Sequence, residues 1–243
     1  MRLLLVFTAL SGILAAQEKT PVLLELFTSQ GCSSCPPADR LLAELDQKQP
    51  IDGVELIVMS EHVDYWNHLG WTDPFSSPLF SARQNEYAAR FRLQGPYTPQ
   101  LVVDGQHQLV GSDSRGVRAA IEQARQPAKS KVTLTGAKRQ GDRVSVHVAV
   151  SGDFSKKGTL FLALAELDAQ AQVPRGENAG RSLSHVAVVR TLTPVGQLRP
   201  GQTFDQEVSA TLKAGAGTHG LRVIAFVEEA GTRRVVGTAQ SRL

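Results

Sequence analysis

The run PVLLELFT at residues 21–28 is almost unbroken in apolar, largely branched side chains, and it constrains the fold more than any other stretch. A strand with one solvated face alternates polar and apolar residues. One without alternation is buried on both faces, as in parallel-type α/β sheets. After it, Ala38, Leu41, Leu42 and Leu45 recur at helical spacing, Asp52-Gly53 marks a turn, and VELIVMS at 54–60 supplies a second buried strand. The pattern predicts a β-α-β unit of about forty residues. Cys32 and Cys35, the only cysteines, fall at the carboxyl end of its first strand. Sites in open α/β sheets gather at that edge.

The stretch EHVDYWNHLGWTDPFSSPLF, 61–80, is aromatic-rich and interrupted by Gly70, Pro74 and Pro78. It is too apolar for a solvated loop and too broken for one helix, so an insertion over the sheet edge is expected. A helix follows over 81–91. Strands 100–104 and 107–111 flank Asp104-Gly105, a strong hairpin signal, and an amphipathic helix covers 115–125. Past Pro127 the period changes. KVTLTGAKRQGDRVSVHVAV alternates around Gly141-Asp142, and five more short strand-like runs follow at turn-separated intervals. Period-2 alternation of this kind marks half-buried antiparallel strands. The expectation is therefore an α/β domain at 17–127 carrying the 61–80 insertion, a linker near 126–131, and an all-β, sandwich-like domain at 128–243.

The opening MRLLLVFTALSGILAAQ has one basic residue, a short apolar region and a small-residue end. That is the form of a cleaved signal peptide, here residues 1–16, and it implies a periplasmic or secreted protein. No later segment is apolar enough to cross a bilayer, so no stable membrane insertion is expected. Residues 17–127 carry 9 basic and 14 acidic side chains (net −5), and residues 128–243 carry 16 and 9 (net +7), so the halves attract each other. The basic residues are scattered without aromatic interleaving, which argues against nucleic acid as a partner. Two cysteines are too few for a disulfide scaffold, so the core must hold the fold.

At a strand-to-helix junction, Cys32 lies near the positive end of a helix dipole, a setting that favours its thiolate. Cys35, one turn inside, is spaced to attack a mixed disulfide on Cys32. Pro36 and Pro37 fix the helix start. Two other uses stay open: a passive local disulfide, which closes too few residues to restrict the unfolded chain much, and a metal site, for which two cysteines supply only half of a closed zinc shell. Glu25, the one acid in the first strand, is a candidate proton acceptor for Cys35, or a strand-end charge. His62, Asp64 and His68 form at most a weak metal-ligand pattern. Tyr65, Trp66, Trp71 and Phe75 read as cover over the sulfur edge, with Trp66 able to offer a docking surface. In GENAGRSLSHVAVVR, 176–190, Asn178, Arg181 and His185 read first as structural hydrogen-bonding residues, with a contact to the first half or to a partner as the alternative, and no chemistry is assigned to them.

LLELFTSQGCSSCPPAD, SEHVDYWNHLGWTDPFSS, the Arg83-Gln84 pair, YTPQLVVDG and GENAGRSLSHVAVVR occur in the order found in a family of secreted bacterial thioredoxin-like proteins labelled domain of unknown function 1223, which the chain resembles. The resemblance spans nearly all of the chain after residue 16. It implies a thioredoxin-like first domain with Cys32 as nucleophile, Cys35 as resolving cysteine, Pro99 as a cis-proline and Thr98 as a backbone contact to substrate. In thioredoxins the buried acid lies one position nearer the first cysteine than Glu25, where this chain has Leu26. The implied activity is thiol–disulfide exchange with exported cysteine-containing proteins or a redox partner, without a cofactor. The alternatives are a non-enzymatic binding module with a permanent disulfide and a metal chaperone.

Overall fold

Strand β1 (Thr20–Thr28) is buried from Val22 to its end. In the computed structural model, which describes residues 19–152, 156–213, 216 and 220–243, it pairs in parallel with β2 (Val54–His62) through helix α1 (Pro36–Lys48). The expected signal peptide lies outside the described residues. Helix α2 (Pro78–Arg90) starts where Ser77 Oγ accepts from Leu79 N–H and Pro78 opens the first turn. Strands β3 (Gln100–Val103) and β4 (His107–Val110) form the Asp104-Gly105 hairpin, and helix α3 (Ser114–Ala124) follows. Both turn residues have positive φ, 47° and 64°. A Cβ at Gly105 would meet the Arg233 carbonyl oxygen at 1.8 Å, so only glycine fits there.

The second half supplies β5 (Lys131–Gln140), β6 (Arg143–Ser151), β7 (Gly158–Val173), β8 (Arg181–Leu198), β9 (Phe204–Thr211), β10 (Leu221–Glu229) and β11 (Val235–Arg242). These strands correct the expected architecture of a thioredoxin-like α/β domain followed by a separate sandwich. Four of them extend the first half's sheet into one mixed eight-stranded sheet, ordered β11-β10-β7-β8-β2-β1-β3-β4, and only β5, β6 and β9 form a second sheet. The described residues are mostly β, 48% strand against 17% helix. The seam is at β2. Its outer edge meets β8 in parallel at Ser60 and Val188, and Ser60 Oγ donates to the Val186 carbonyl at 2.7 Å. Joining there removes an exposed edge from each half.

The apolar core follows the same continuity. Leu24, Leu26, Val58 and Leu42 of the first half pack in one cluster with Ala163, Val189, Ile224 and Phe226 of the second. A second cluster fills the space between the small sheet (Val144, Val146, Val148, Val150) and the opposite side of β7 and β10 (Leu160, Leu162, Val223, Val227). Strands β7 and β8 are long enough to reach past the core, and their hairpin tip, 174–180, arrives at the end of β1.

Candidate functional site

Alternation along β1 sorts its side chains. Thr28 turns toward α1, where its Oγ1 donates to Asp39 Oδ1 at 2.9 Å, and Leu26 lies on the same side. Glu25 turns the other way, toward α2. Its carboxylate accepts from Arg83 Nε and from the Tyr87 hydroxyl, each at 2.6 Å. Arg83 also pairs with Glu228 at 3.0 Å and approaches Glu61 at 3.8 Å. Burial, reinforced by the Glu25 charge, pushes the Glu61 carboxyl well above the carboxylate range. Both Glu61 oxygens are buried without a hydrogen-bond partner among the described residues. Glu25 thus belongs to a buried charge cluster on the far side of the sheet, and the structure does not bring it to the cysteines.

Cys32 and Cys35 form a disulfide with Cα atoms 5.5 Å apart. Cys35 caps α1, and its carbonyl accepts from Ala38 N–H at 2.9 Å and Asp39 N–H at 3.1 Å. Since Pro36 and Pro37 have no N–H, the first helical turn leaves no free amide for a thiolate. Only the helix dipole acts there, less than the sequence suggests. Cys32 Sγ lies 3.4 Å from Ser34 Oγ, which itself lies 3.5 Å from the Thr98 carbonyl. The Thr98–Pro99 bond is cis. Pro99 sits beside Gly111, Leu26 and Ala38, where the Gly111 side-chain position is already filled by its neighbours. Half-buried Trp66 donates from Nε1 to Thr98 Oγ1 at 2.9 Å. Cys32, Cys35, Trp66, Thr98 and Pro99 are therefore gathered in one place.

Both cysteines are 0% exposed, although Ser33 and Ser34 between them face solvent. The cover comes from two segments. In the insertion, Trp71 Nε1 donates to Gln30 Oε1 at 2.9 Å and Asp73 Oδ2 accepts from Gln30 N–H at 2.8 Å. From the β7–β8 hairpin tip, buried Asn178 donates to the carbonyls of Gln30 and Cys32, both at 2.9 Å, while Arg181 Nη1 donates to Asn178 Oδ1 at 3.1 Å. Exposed Glu177 accepts from Ser33 N–H at 3.0 Å, and hydrogen bonding to the Ser33 side chain, with this N–H second, holds its carboxyl below the usual range. The hairpin of the second half is fastened over the disulfide of the first.

Beneath that cover lies a second group of ionisable side chains. His62 Nδ1 is 2.7 Å from Asp73 Oδ2, and its ring meets that of His185 edge-to-face at 4.6 Å. His185 Nδ1 lies 3.7 Å from Asp39 Oδ2, an ion-pair distance rather than a hydrogen bond. All four residues are buried. Burial disfavours the His185 imidazolium, but Asp39 and Asp73 outweigh it and hold its pKa above the ordinary value. Burial likewise opposes the Asp73 carboxylate, and the His62 charge with two backbone N–H bonds overcomes this and lowers its pKa. His68 is exposed, and Asp64 accepts from Ser81 Oγ at 2.5 Å. Among the described residues no set of three or more His, Cys, Asp or Glu is arranged to hold a metal ion. Sequence reasoning singled out Asn178 and His185, as structural or contact residues, but missed Asp39, Asp73 and Gln30. For Asp39 the available signal was an acid placed four residues after Cys35, on the same helix face.

Fold and site together define a β-rich protein whose mixed sheet carries a covered Cys-x-x-Cys disulfide. The chain belongs to the family described as protein of unknown function (DUF1223), whose model matches residues 23–228. It is similar to the X-ray crystal structure of a protein from Agrobacterium tumefaciens, 29% identical with a TM-score of 0.68, over 93% of this chain and 95% of that one. The sporulation control protein Spo0M from Bacillus subtilis is 15% identical with a TM-score of 0.30 over 47% of each chain, too distant to carry an argument. No protein with a curated description matches the sequence.

Proposed function

We propose that the protein is an exported thiol–disulfide oxidoreductase that exchanges its Cys32–Cys35 disulfide with cysteines of other exported proteins or of a redox partner, once the hairpin cover lifts. Export is inferred from residues 1–16. The observation that carries the proposal is the setting of the disulfide among buried ionisable groups. As a cross-link, a bond closing four residues contributes only about 2 kcal/mol through chain entropy, little beside two apolar clusters. Yet Asp39, four residues along α1 from Cys35, and His185, His62 and Asp73, which follow it in one chain of contacts, are all buried. Such groups are costly to bury, and they collect where protons or charge must be handled. In the exchange, a partner thiolate attacks Cys32 Sγ, the Cys32–Cys35 bond breaks, and its electron pair leaves on Cys35. Trp66, Thr98 and Pro99 flank the exposed Ser33-Ser34 side and receive the partner chain.

The burial of both sulfurs favours a second proposal of a different class: a binding module on which the disulfide is permanent. One experiment separates the two. Oxidised protein is treated under native conditions with a cysteine peptide, and the Cys35→Ser variant with the corresponding peptide disulfide. Exchange predicts reduction without unfolding and a peptide linked to Cys32. A binding module predicts neither.

A further inference from the structure

We propose that Asp39, backed by His185 and Thr28, is the proton acceptor for the Cys35 thiol; this rests on the exchange activity proposed above. Cys35 and Asp39 stand four residues apart on α1, and Cys35 has helical backbone angles, φ −76° and ψ −37°. That spacing puts their side chains on one helix face, with Cβ atoms about 5–6 Å apart. Both are buried, so few waters compete for the proton.

Glu25, the acid in β1, faces Arg83 and Tyr87 instead. Asp39 is positioned by partners that leave it chemically available. Thr28 Oγ1 holds Oδ1, and His185 Nδ1 stands 3.7 Å from Oδ2, where the nearby Asp39 and Asp73 favour its charged form. Among the described residues neither ring nitrogen of His185 has a hydrogen-bond partner, and His62 Nε2 also lacks one. Buried donors without acceptors are expensive, which favours a role in shifting charge over one in holding shape. The groups facing Asp39 and His185 are Thr28 from β1, His62 from β2, and Asp73 and Phe75 from the insertion. Arg190 stacks on Phe75 at 5.0 Å and pairs with Glu166 at 3.8 Å.

The step balances as follows. With Cys32 held in a mixed disulfide with a partner cysteine, the Cys35 thiol gives its proton to Asp39. The Cys35 thiolate attacks Cys32 Sγ, the Cys32–Cys35 bond forms, and the bond to the partner breaks. Its electron pair leaves on the partner as a thiolate, so Cys32 and Cys35 end oxidised and the partner reduced. In the opposite direction Asp39 returns the proton to the departing Cys35 thiolate.

The test is an equilibrium titration of the Cys32→Ser full-length protein, whose only thiol is Cys35, followed by the ultraviolet absorbance of the thiolate. At about 6 Å and an effective dielectric constant near 20, removing the Asp39 charge lowers the Cys35 midpoint by roughly one to two pH units. Asp39→Asn and Asp39→Ser, which both remove the charge, are therefore expected to move the midpoint down. A midpoint unmoved in both variants overturns the assignment. Should Asp39→Asn not fold, Asp39→Ser decides, and an unmoved midpoint there has the same consequence. The titration needs no partner. Failure of peptide exchange with a shifted midpoint would sink the proposed activity, and working exchange with an unshifted midpoint would sink the role of Asp39.

Discussion

Replacing Asn178 with Ala cuts the fastening between the hairpin tip and the disulfide loop. In the native protein its amide donates to the Gln30 and Cys32 carbonyls, both in buried residues, and its oxygen accepts from Arg181. An acceptor left unsatisfied in the interior costs about 1–3 kcal/mol. Two such losses, partly relieved by water entering the loop, amount to roughly 3 kcal/mol against the closed arrangement. At about 1.4 kcal/mol per factor of ten, the open population rises roughly a hundredfold. The assay is the rate of disulfide reduction by dithiothreitol under native conditions, with global stability measured in parallel by denaturant unfolding. Where opening and closing are fast relative to chemistry, the rate follows the open population. Asn178→Ala is thus expected to be reduced about a hundredfold faster than the wild type. Exposed Glu177, which hydrogen-bonds Ser33 at the surface of the loop, serves as the control, and its alanine variant should change the rate only slightly. An Asn178→Ala rate equal to wild type, with the fold intact, would show that the hairpin is not what seals the sulfurs.

Arg83→Met leaves Glu25 and Glu228 without their shared cation, and the expected loss of about 3–5 kcal/mol is read from denaturant unfolding. Burial, opposed by Lys129, pushes the Asp104 carboxyl up to about 6 from 3.8. The fold therefore favours its neutral form, so this contribution is fully present below about pH 4 and lost, by up to roughly 3 kcal/mol, as pH rises toward about 6. Asp104→Asn should flatten that limb of the stability–pH curve. Gly105→Ala forces a Cβ against the Arg233 backbone at a positive φ, and a markedly lowered Tm is expected.

Local features were legible in the sequence, and long-range joining was not. The continuous apolar run of β1, the helical spacing after Cys35 and the Asp-Gly pair announced β1, α1, β2 and the β3–β4 hairpin within a residue or two. Alternation announced β5 and β6, because a period of two registers burial of one face, while turn-separated spacing announced the later strands, of which β7 and β8 run to 16 and 18 residues. What alternation does not encode is a strand's neighbour. The meeting of β2 and β8 rests on a single paired position, Ser60 with Val188, and nothing in either segment advertises it. For the same reason two domains were expected where one sheet runs through. Within the site, the cysteine pair and its prolines carried a visible pattern. Glu25 drew attention as an acid in an apolar strand, yet its partner Arg83 lies 58 residues away and turns it to the other face. Asp39 and Asp73 look like ordinary solvated acids until β8 brings His185 to one and β2 brings His62 to the other.

Mass spectrometry of the Cys35→Ser protein after native incubation with a cysteine-peptide disulfide bears most directly on the proposed activity. Thiol–disulfide exchange predicts one peptide attached through Cys32, formed faster when Asn178→Ala is added. A Cys32 that stays unmodified in the folded protein, and becomes linked only after unfolding, would contradict it.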